Sequence, residues 1–420
     1  MISTTSRRDF LRTSALAPIS TALPNWMPRL AFAPHQSAPR GDVLVVVFLR
    51  GAADTLNMVV PHGDEAYYSL RPSLGIPRPD DAGAKTAGRA LDLDGFFGLH
   101  PALAPLLPAW REKHLAIVHA CGAPDESRSH FKAMELMERG VTDERGPASG
   151  WIGRHLASLD TGNNSPLRAV GLGEIPQRSL YGAVPISALR SIADFHLGGD
   201  AAAVAQMRAA IASLYAGSDT LGQLGQETLD ILDILQKLDP TAAPSSSAAY
   251  PSSDFGLGLR QISMLVKAEV GLEVAAIDVG GWDTHFAQGS VEGQMPALMA
   301  DLASGLAAFH EDLHDHAGHV SVVVMSEFGR RAYENASLGT DHGHGSMMML
   351  MGGNVDGGKV HGRWPGLSEG QLFGPGDLAV TTDYRQVLGE LLARRLNNPD
   401  LASVFPGFES PGILDLFKQG

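Results

Sequence analysis

The sequence predicts an α/β fold, a three-layer α/β/α sandwich around a mostly parallel central sheet. Three observations predict it. Continuous apolar runs rich in β-branched residues recur along the chain, beginning with Val43 to Leu49 (VLVVVFL), as expected of strands buried on both faces. Segments with helical spacing separate these runs, which implies parallel strands joined by crossover helices. Nearly all the chemically interesting polar residues follow directly on a strand, where such sheets bind ligands. With 420 residues, 44% of them hydrophobic and 19% charged, the chain can bury a large core and is not disordered overall.

The first 33 residues obey different rules. Ser6-Arg7-Arg8-Asp9-Phe10-Leu11 looks like the twin-arginine export consensus, a mildly apolar stretch runs from Leu16 to Leu30, and Ala31-Phe32-Ala33 has the shape of a signal-peptidase site. Residues 1–33 are therefore expected to be a twin-arginine signal peptide. The mature chain is expected to be periplasmic or secreted, with the translocation machinery as a partner. Residues 34–420 then form a single domain, with irregular insertions near 62–98 and 174–254. No run approaches 18 apolar residues, so no membrane insertion of the mature chain is expected. The formal charge of −14 argues against nucleic acid as a partner, and loss of the signal makes the chain more acidic still. The single cysteine, Cys121, excludes an intramolecular disulfide or a cysteine-built metal site.

The elements follow in order. After Val43 to Leu49 comes the turn Arg50 to Asp54, then the Pro/Gly-punctuated insertion 62–98. Pro101 to Glu112 reads as a helix and Leu115 to Cys121 as a second buried strand. Ser129 is placed to N-cap a helix reaching Arg139. A helix from Trp151 to Leu159, a strand from Leu167 to Leu172 and Ala/Leu-rich helical spacing over 200–238 come next. Pro240 to Asp254 is a low-complexity loop. Glu273 to Val279 is a strand, roughly Gly293 to His314 an amphipathic helix, and Val320 to Met325, Met347 to Met351 and Leu378 to Thr381 are strands ahead of a helix from Tyr384 to Leu396.

Four clusters after strands are candidates for one site. Asp54 sits in a small-residue turn, where an aspartate can equally accept a backbone N–H. Ser127-Arg128-Ser129-His130 lies at a strand-to-helix junction, where a serine can act as nucleophile or only as a helix cap. Asp283-Thr284-His285 puts a carboxylate and an imidazole on the same side of an extended chain. Glu327 combines with Asp341, His342 and His344, framed by glycines. Carboxylate and imidazole together suit zinc or manganese better than calcium or magnesium. His310, His314, His316 and His319 are expected on the solvent-facing end of the long helix rather than as ligands.

The order of these clusters resembles the alkaline phosphatase/sulfatase superfamily. The chain resembles more closely a twin-arginine-exported bacterial family within it, domain of unknown function 1501. The resemblance rests on VVVFLRGAADTLNMVVP (45–61), SHFKAMELMERG (129–140), GGWDTH (280–285), SEFGRR (326–331), TDHGHGSMMMLMGG (340–353), GRWPGL (362–367) and TTDYRQVLGELL (381–392), across essentially the whole mature chain. It implies an alkaline phosphatase-like fold and a metal-dependent hydrolase of phosphate or sulfate esters, acting on a small-molecule or glycan ester. The implied roles are Ser129 as nucleophile, Arg128 or Arg330 against the ester's free oxygens, and Asp54, Asp283, His285, Glu327, Asp341, His342 and His344 toward the metal. The chain departs from the superfamily where Glu327-Phe328 stands in place of the usual Asp-His, so His342 or His344 completes the site, or Asp341-His342 is the displaced pair. The spacing from Cys121 through Pro124 to Arg128 breaks the Cys-x-Pro-x-Arg pattern needed for a formylglycine sulfatase. The alternative is a catalytically idle relative serving as a binding or assembly protein.

Overall fold

The computed structural model describes residues 41–418 apart from 193–196, 218, 237 and 239–247. The expected signal segment 1–33 and the first part of the 240–254 loop lie outside the described residues. The main sheet contains β1 (Val43–Leu49), β2 (Leu115–Gly122), β3 (Ala169–Leu172), β4 (Ser187–Leu189), β5 (Val274–Val279), β6 (Val320–Ser326), β7 (Ser346–Met351), β8 (Lys359–His361) and β9 (Thr382–Asp383). Their order is β8-β2-β7-β6-β1-β5-β3-β4, with β9 also pairing β2. All neighbours run parallel except β7, which is antiparallel to both β6 and β2.

Alternation along β1 builds the three layers. Val43, Val45, Val47 and Leu49 enter one apolar cluster, shared with the helices α5 (Asp254–Lys267) and α6 (Gln294–Leu313). Leu44, Val46 and Phe48 enter the other, shared with α1 (His130–Arg139), α2 (Trp151–Ser158) and α7 (Tyr384–Arg394). At about 1.5–3 kcal/mol per fully buried Val, Leu, Ile or Phe side chain, these two faces are the main stabilising term. The intervening α3 (Ala201–Leu214) and α4 (Thr220–Gln236) pair with each other within the 174–254 insertion. The 62–98 insertion is more ordered than its composition implies. It holds a helix, Glu65–Leu70, and strands Leu91–Asp92 and Gly98–Leu99, the last of which also joins Val59–Val60.

Two expected elements differ. Pro101–Leu106 is a 3₁₀ segment and only Leu107–Arg111 is α-helical, because Pro105 and Pro108 lack the N–H an α-helical ladder requires. The strand expected over 378–381 pairs only at Thr382–Asp383; upstream, Leu378 and Thr381 make single bonds to Gly345 and Ala120. No helix among the described residues is long and apolar enough to cross a membrane.

The reversed strand β7 matters for the site. β6 ends at Ser326 and β7 begins at Ser346, and the antiparallel pairing puts both at the same end of the sheet. The connecting loop 327–345 therefore never crosses the sheet. It stays above the carboxyl ends of β1, β2 and β5.

Candidate metal centre

Three segments meet above those strand ends. β2 leads into α1, whose first residue is His130. β5 runs into Asp283 and His285, and the 327–345 loop brings Glu327, Arg330, Asp341 and His342. The turn after β1 packs beneath them. Gly51 has φ +118°, and a Cβ there would lie 2.5 Å from the Asp283 backbone nitrogen, so the turn needs glycine on both conformational and steric grounds.

His130, Asp283 and His342 point their ligating atoms at one place, all within 4.8 Å of one another. His130 Nε2 is 3.4 Å from Asp283 Oδ2, and His342 Nε2 is 3.1 Å from Asp283 Oδ1. His285 flanks them, its Nε2 3.0 Å from Asp283 Oδ1 and 2.8 Å from His342 Nε2. The far nitrogen of each ring is held. His130 Nδ1 donates to Glu327 Oε1 at 2.7 Å, His342 Nδ1 to the Arg128 carbonyl at 2.8 Å, and His285 Nδ1 to Asp341 Oδ1 at 3.2 Å. A carbonyl and two carboxylates only accept, so each Nδ1 carries a proton, each ring turns its Nε2 inward, and a ring with no second proton presents a lone pair there.

Lone pairs so arranged repel one another unless a cation or an extra proton joins them. His130 Nε2 is buried and has no hydrogen-bond partner. Arg330 does supply one donor, Nη2 to Asp283 Oδ1 at 2.6 Å. The donor set fits a divalent ion: imidazole nitrogens and a carboxylate suit zinc, and each ring already has the outer partner that metal-bound histidines take.

The Glu327 hydrogen bond raises the His130 imidazole above its ordinary value, whereas burial lowers that of His342. Burial alone would raise the Glu327 carboxyl, but the bonds from His130 and the backbone amides of Gly51 and Ala52 hold it below its ordinary value. Asp283 is likewise opposed by burial, yet Arg330 and, where its Nε2 carries a proton, His342 bring it down to about 2. Asp341 is lowered chiefly by the Asn335 amide, with His285 adding to it. All three are carboxylates at neutral pH.

The residues predicted from sequence divide into groups. Asp283, His285 and His342 converge as expected, and Glu327 and Asp341 lie behind them as orienting partners. Asp54 does not join them. It is fully buried with Oδ2 accepting from Arg71 Nη1 at 2.5 Å and from Gln288 Nε2 at 2.6 Å. A buried cation so close makes Asp54 half of an internal ion pair. His344 packs against Phe373, ring centres 4.8 Å apart, rather than against the other histidines. Arg330 is spent inside the structure: besides Asp283, it donates to the carbonyls of Gly51, Ala52, Trp282 and Thr340. Arg128 gives Nε and Nη2 to the buried Asp377, and its contribution to the centre is its backbone carbonyl. Ser129 is exposed at the N-cap of α1, where its hydroxyl caps nothing.

His130 was not among the predicted ligands. Its signal was present, since it stands in the post-strand SRSH cluster, but the serine drew the functional reading there. Phe131 and Phe286, each next in sequence to a histidine of the centre, are 86% and 74% exposed. A cavity of about 420 Å³ elsewhere, at the amino end of β1 and lined by Val43, Leu265, His316 and His319, shares no residue with the centre.

The sequence matches the family described as "Protein of unknown function (DUF1501)" over residues 42–400. The chain belongs to this family. No curated protein matches it. Among solved structures, it is similar to the C-terminal periplasmic domain of EptC from Escherichia coli in complex with zinc, at 9% identity and a TM-score of 0.35, covering 78% of this chain and 77% of that one. It is similar to the alkaline phosphatase PafA at 10% identity and a TM-score of 0.34, covering 70% of this chain and 64% of PafA, just under two thirds of that protein's length. The alkaline phosphatase of the Antarctic bacterium TAB5 matches at 10% identity and a TM-score of 0.27, covering 76% of this chain and 93% of that one. Likenesses this distant carry no argument about the site. The metal reading of this family member stands on its own side chains.

Proposed function

We propose that the protein is an exported, metal-dependent hydrolase of phosphate or sulfate esters, with His130, Asp283 and His342 holding the metal and His285 beside them. The observation that carries the reading is the set of inward-facing Nε2 atoms, each ring oriented by the partner of its opposite nitrogen, with His130 Nε2 buried and without a hydrogen-bond partner. A bound divalent ion supplies Lewis acidity toward an ester oxygen. The chain's own residues do the positioning. Glu327, Asp341 and the Arg128 carbonyl fix the rings, while Arg330 ties Asp283 to the β1 turn. Ser129, immediately before His130, presents a free hydroxyl as the candidate nucleophile, and Phe131 and Phe286 offer contact surface to the ester's organic part. Zinc or manganese is the expected metal, and export by the twin-arginine route supplies the periplasmic setting.

A second reading has its own observation. Asp54, the first-strand residue that the superfamily resemblance assigns to the metal, is neutralised by Arg71. That favours a family member that keeps the fold and a metal but serves in binding or assembly. Metal analysis of the protein purified from the periplasm, with a panel of phosphate and sulfate esters, separates the two. Hydrolase function predicts a bound divalent ion and turnover that Ser129→Ala abolishes. Metal without turnover supports the second reading, and absence of any divalent ion overturns the metal centre itself.

A further inference from the structure

A second group of metal-type ligands lies far from the centre. Glu112, His114 and His310 bring a carboxylate oxygen and two imidazole nitrogens within 4.8 Å of one another. His114 Nδ1 is 3.2 Å from His310 Nε2 and 3.8 Å from Glu112 Oε2. Sequence reasoning placed His310 on the solvent-facing end of the long helix. Instead it is half-buried in the last turn of α6, facing His114. His314 and His319 do stay open, with side chains 79% and 74% exposed.

The fold delivers this group from two separate elements. Glu112 closes the short helix Leu107–Arg111, and His114 is the residue before β2 begins. Lys113 between them adopts a left-handed φ of +61°, reversing the chain so that both neighbouring side chains reach the same place. His114 precedes β2 whereas His130 lies beyond its far end, so a strand of about 25 Å separates the two groups.

We propose that Glu112, His114 and His310 form a second divalent-metal site of the zinc class, structural rather than catalytic, which clamps the end of α6 to the entry of β2. Two nitrogens bound to one tetrahedral zinc stand about 3.3 Å apart, given bonds of about 2.0–2.1 Å. The observed 3.2 Å already matches that separation. The Glu112 carboxylate sits wider, but its side chain is 62% exposed and free to close on an ion. A plain imidazole–imidazole hydrogen bond would explain the histidine contact with Glu112 left as a loose ion-pair partner of His114, whereas a metal site requires Glu112 to close on the ion.

The test uses the full exported chain, stripped with chelator and titrated with zinc by calorimetry and thermal melting. Three forms are compared: wild type, His114→Asn/His310→Asn, and His130→Ala/His342→Ala. The proposal expects two zinc equivalents in wild type and one in each double variant, with the equivalent left in His130→Ala/His342→Ala still raising Tm. Glu112→Gln, at an exposed side chain that cannot unfold the protein, should weaken that same equivalent. If His114→Asn/His310→Asn and Glu112→Gln both keep the wild-type stoichiometry and zinc-induced Tm shift, the contact is a hydrogen bond only and the proposal falls. Loss of the other equivalent alone, in His130→Ala/His342→Ala, speaks to the centre at His130 and not to this site.

Discussion

Glu327→Gln isolates the role given to a carboxylate behind the metal centre. Glu327 is 1% exposed, accepts from His130 Nδ1 at 2.7 Å and from the Gly51 amide at 2.9 Å, and lies 3.0 Å from the Ser326 hydroxyl. Glutamine has the same shape. Its carbonyl can keep the first two bonds, and its amide can donate to Ser326, whose own proton is taken by the Leu49 carbonyl at 2.7 Å. The main loss is the charge, together with one acceptor oxygen. Hydrogen bonds to an ionised partner contribute about 1.5–3 kcal/mol against about 0.5–1.5 for neutral ones, so the His130 bond should weaken by about 1–1.5 kcal/mol. At about 1.4 kcal/mol per decade, zinc affinity should fall roughly tenfold, the low end of the loss of about 10–100-fold typical of such outer partners. Competition against a chromophoric chelator at pH 8 reads the affinity, and a thermal melt confirms that the fold persists. Unchanged zinc affinity in a folded Glu327→Gln variant would refute the claim that the carboxylate orients His130 for a metal.

Two further outcomes test the rest of the reading. Asp54→Asn should cost about 3–5 kcal/mol of stability, because it leaves the buried Arg71 without its counter-charge, and should leave zinc stoichiometry unchanged; urea unfolding reads the first, and loss of a zinc equivalent from a folded variant would make Asp54 a ligand after all. Burial pushes the His119 and His155 imidazoles down to about 4, so the unfolded chain binds these protons first and stability falls as pH drops below about 6.5. At pH 5 each contributes a loss of about 2 kcal/mol relative to pH 8, and His155→Gln should remove its share from the difference between urea curves at the two pH values; an unaltered difference would contradict the assignment.

The strands and the end of the sheet that carries the chemistry were legible because burial on both faces leaves a strong trace. A run such as Val43–Leu49 has one stable placement, and the residues after it must emerge at its carboxyl end. The Asp283/His285 pairing was legible for a similar reason. Alternate residues of an extended chain share a side, and here they stand 3.0 Å apart at Oδ1 and Nε2. Proline content misled at 101–106, where a helical hydrophobic pattern survived in a segment whose N–H groups could not sustain it.

Which carboxylate meets which cation was not legible, and Asp54 shows why. Its partner Arg71 comes from the Pro/Gly-punctuated insertion, whose ordered interior no periodicity announces. The sequence shows only an aspartate after a strand. The distinction between ligand and ion pair is made by an arginine arriving from a different part of the chain. The same logic separates the six remaining acidic and histidine candidates, since a residue behind the centre and a residue in it obey one local pattern and differ only in what lies across from them. Glu327 is closed off by His130, Ser326 and the Gly51 amide, whereas Asp283 keeps Oδ2 directed at the unpartnered nitrogen of His130. The candidate metal centre is therefore defined less by its acidic residues than by three histidine Nε2 atoms crowded around Asp283, that of His130 having no hydrogen-bond partner.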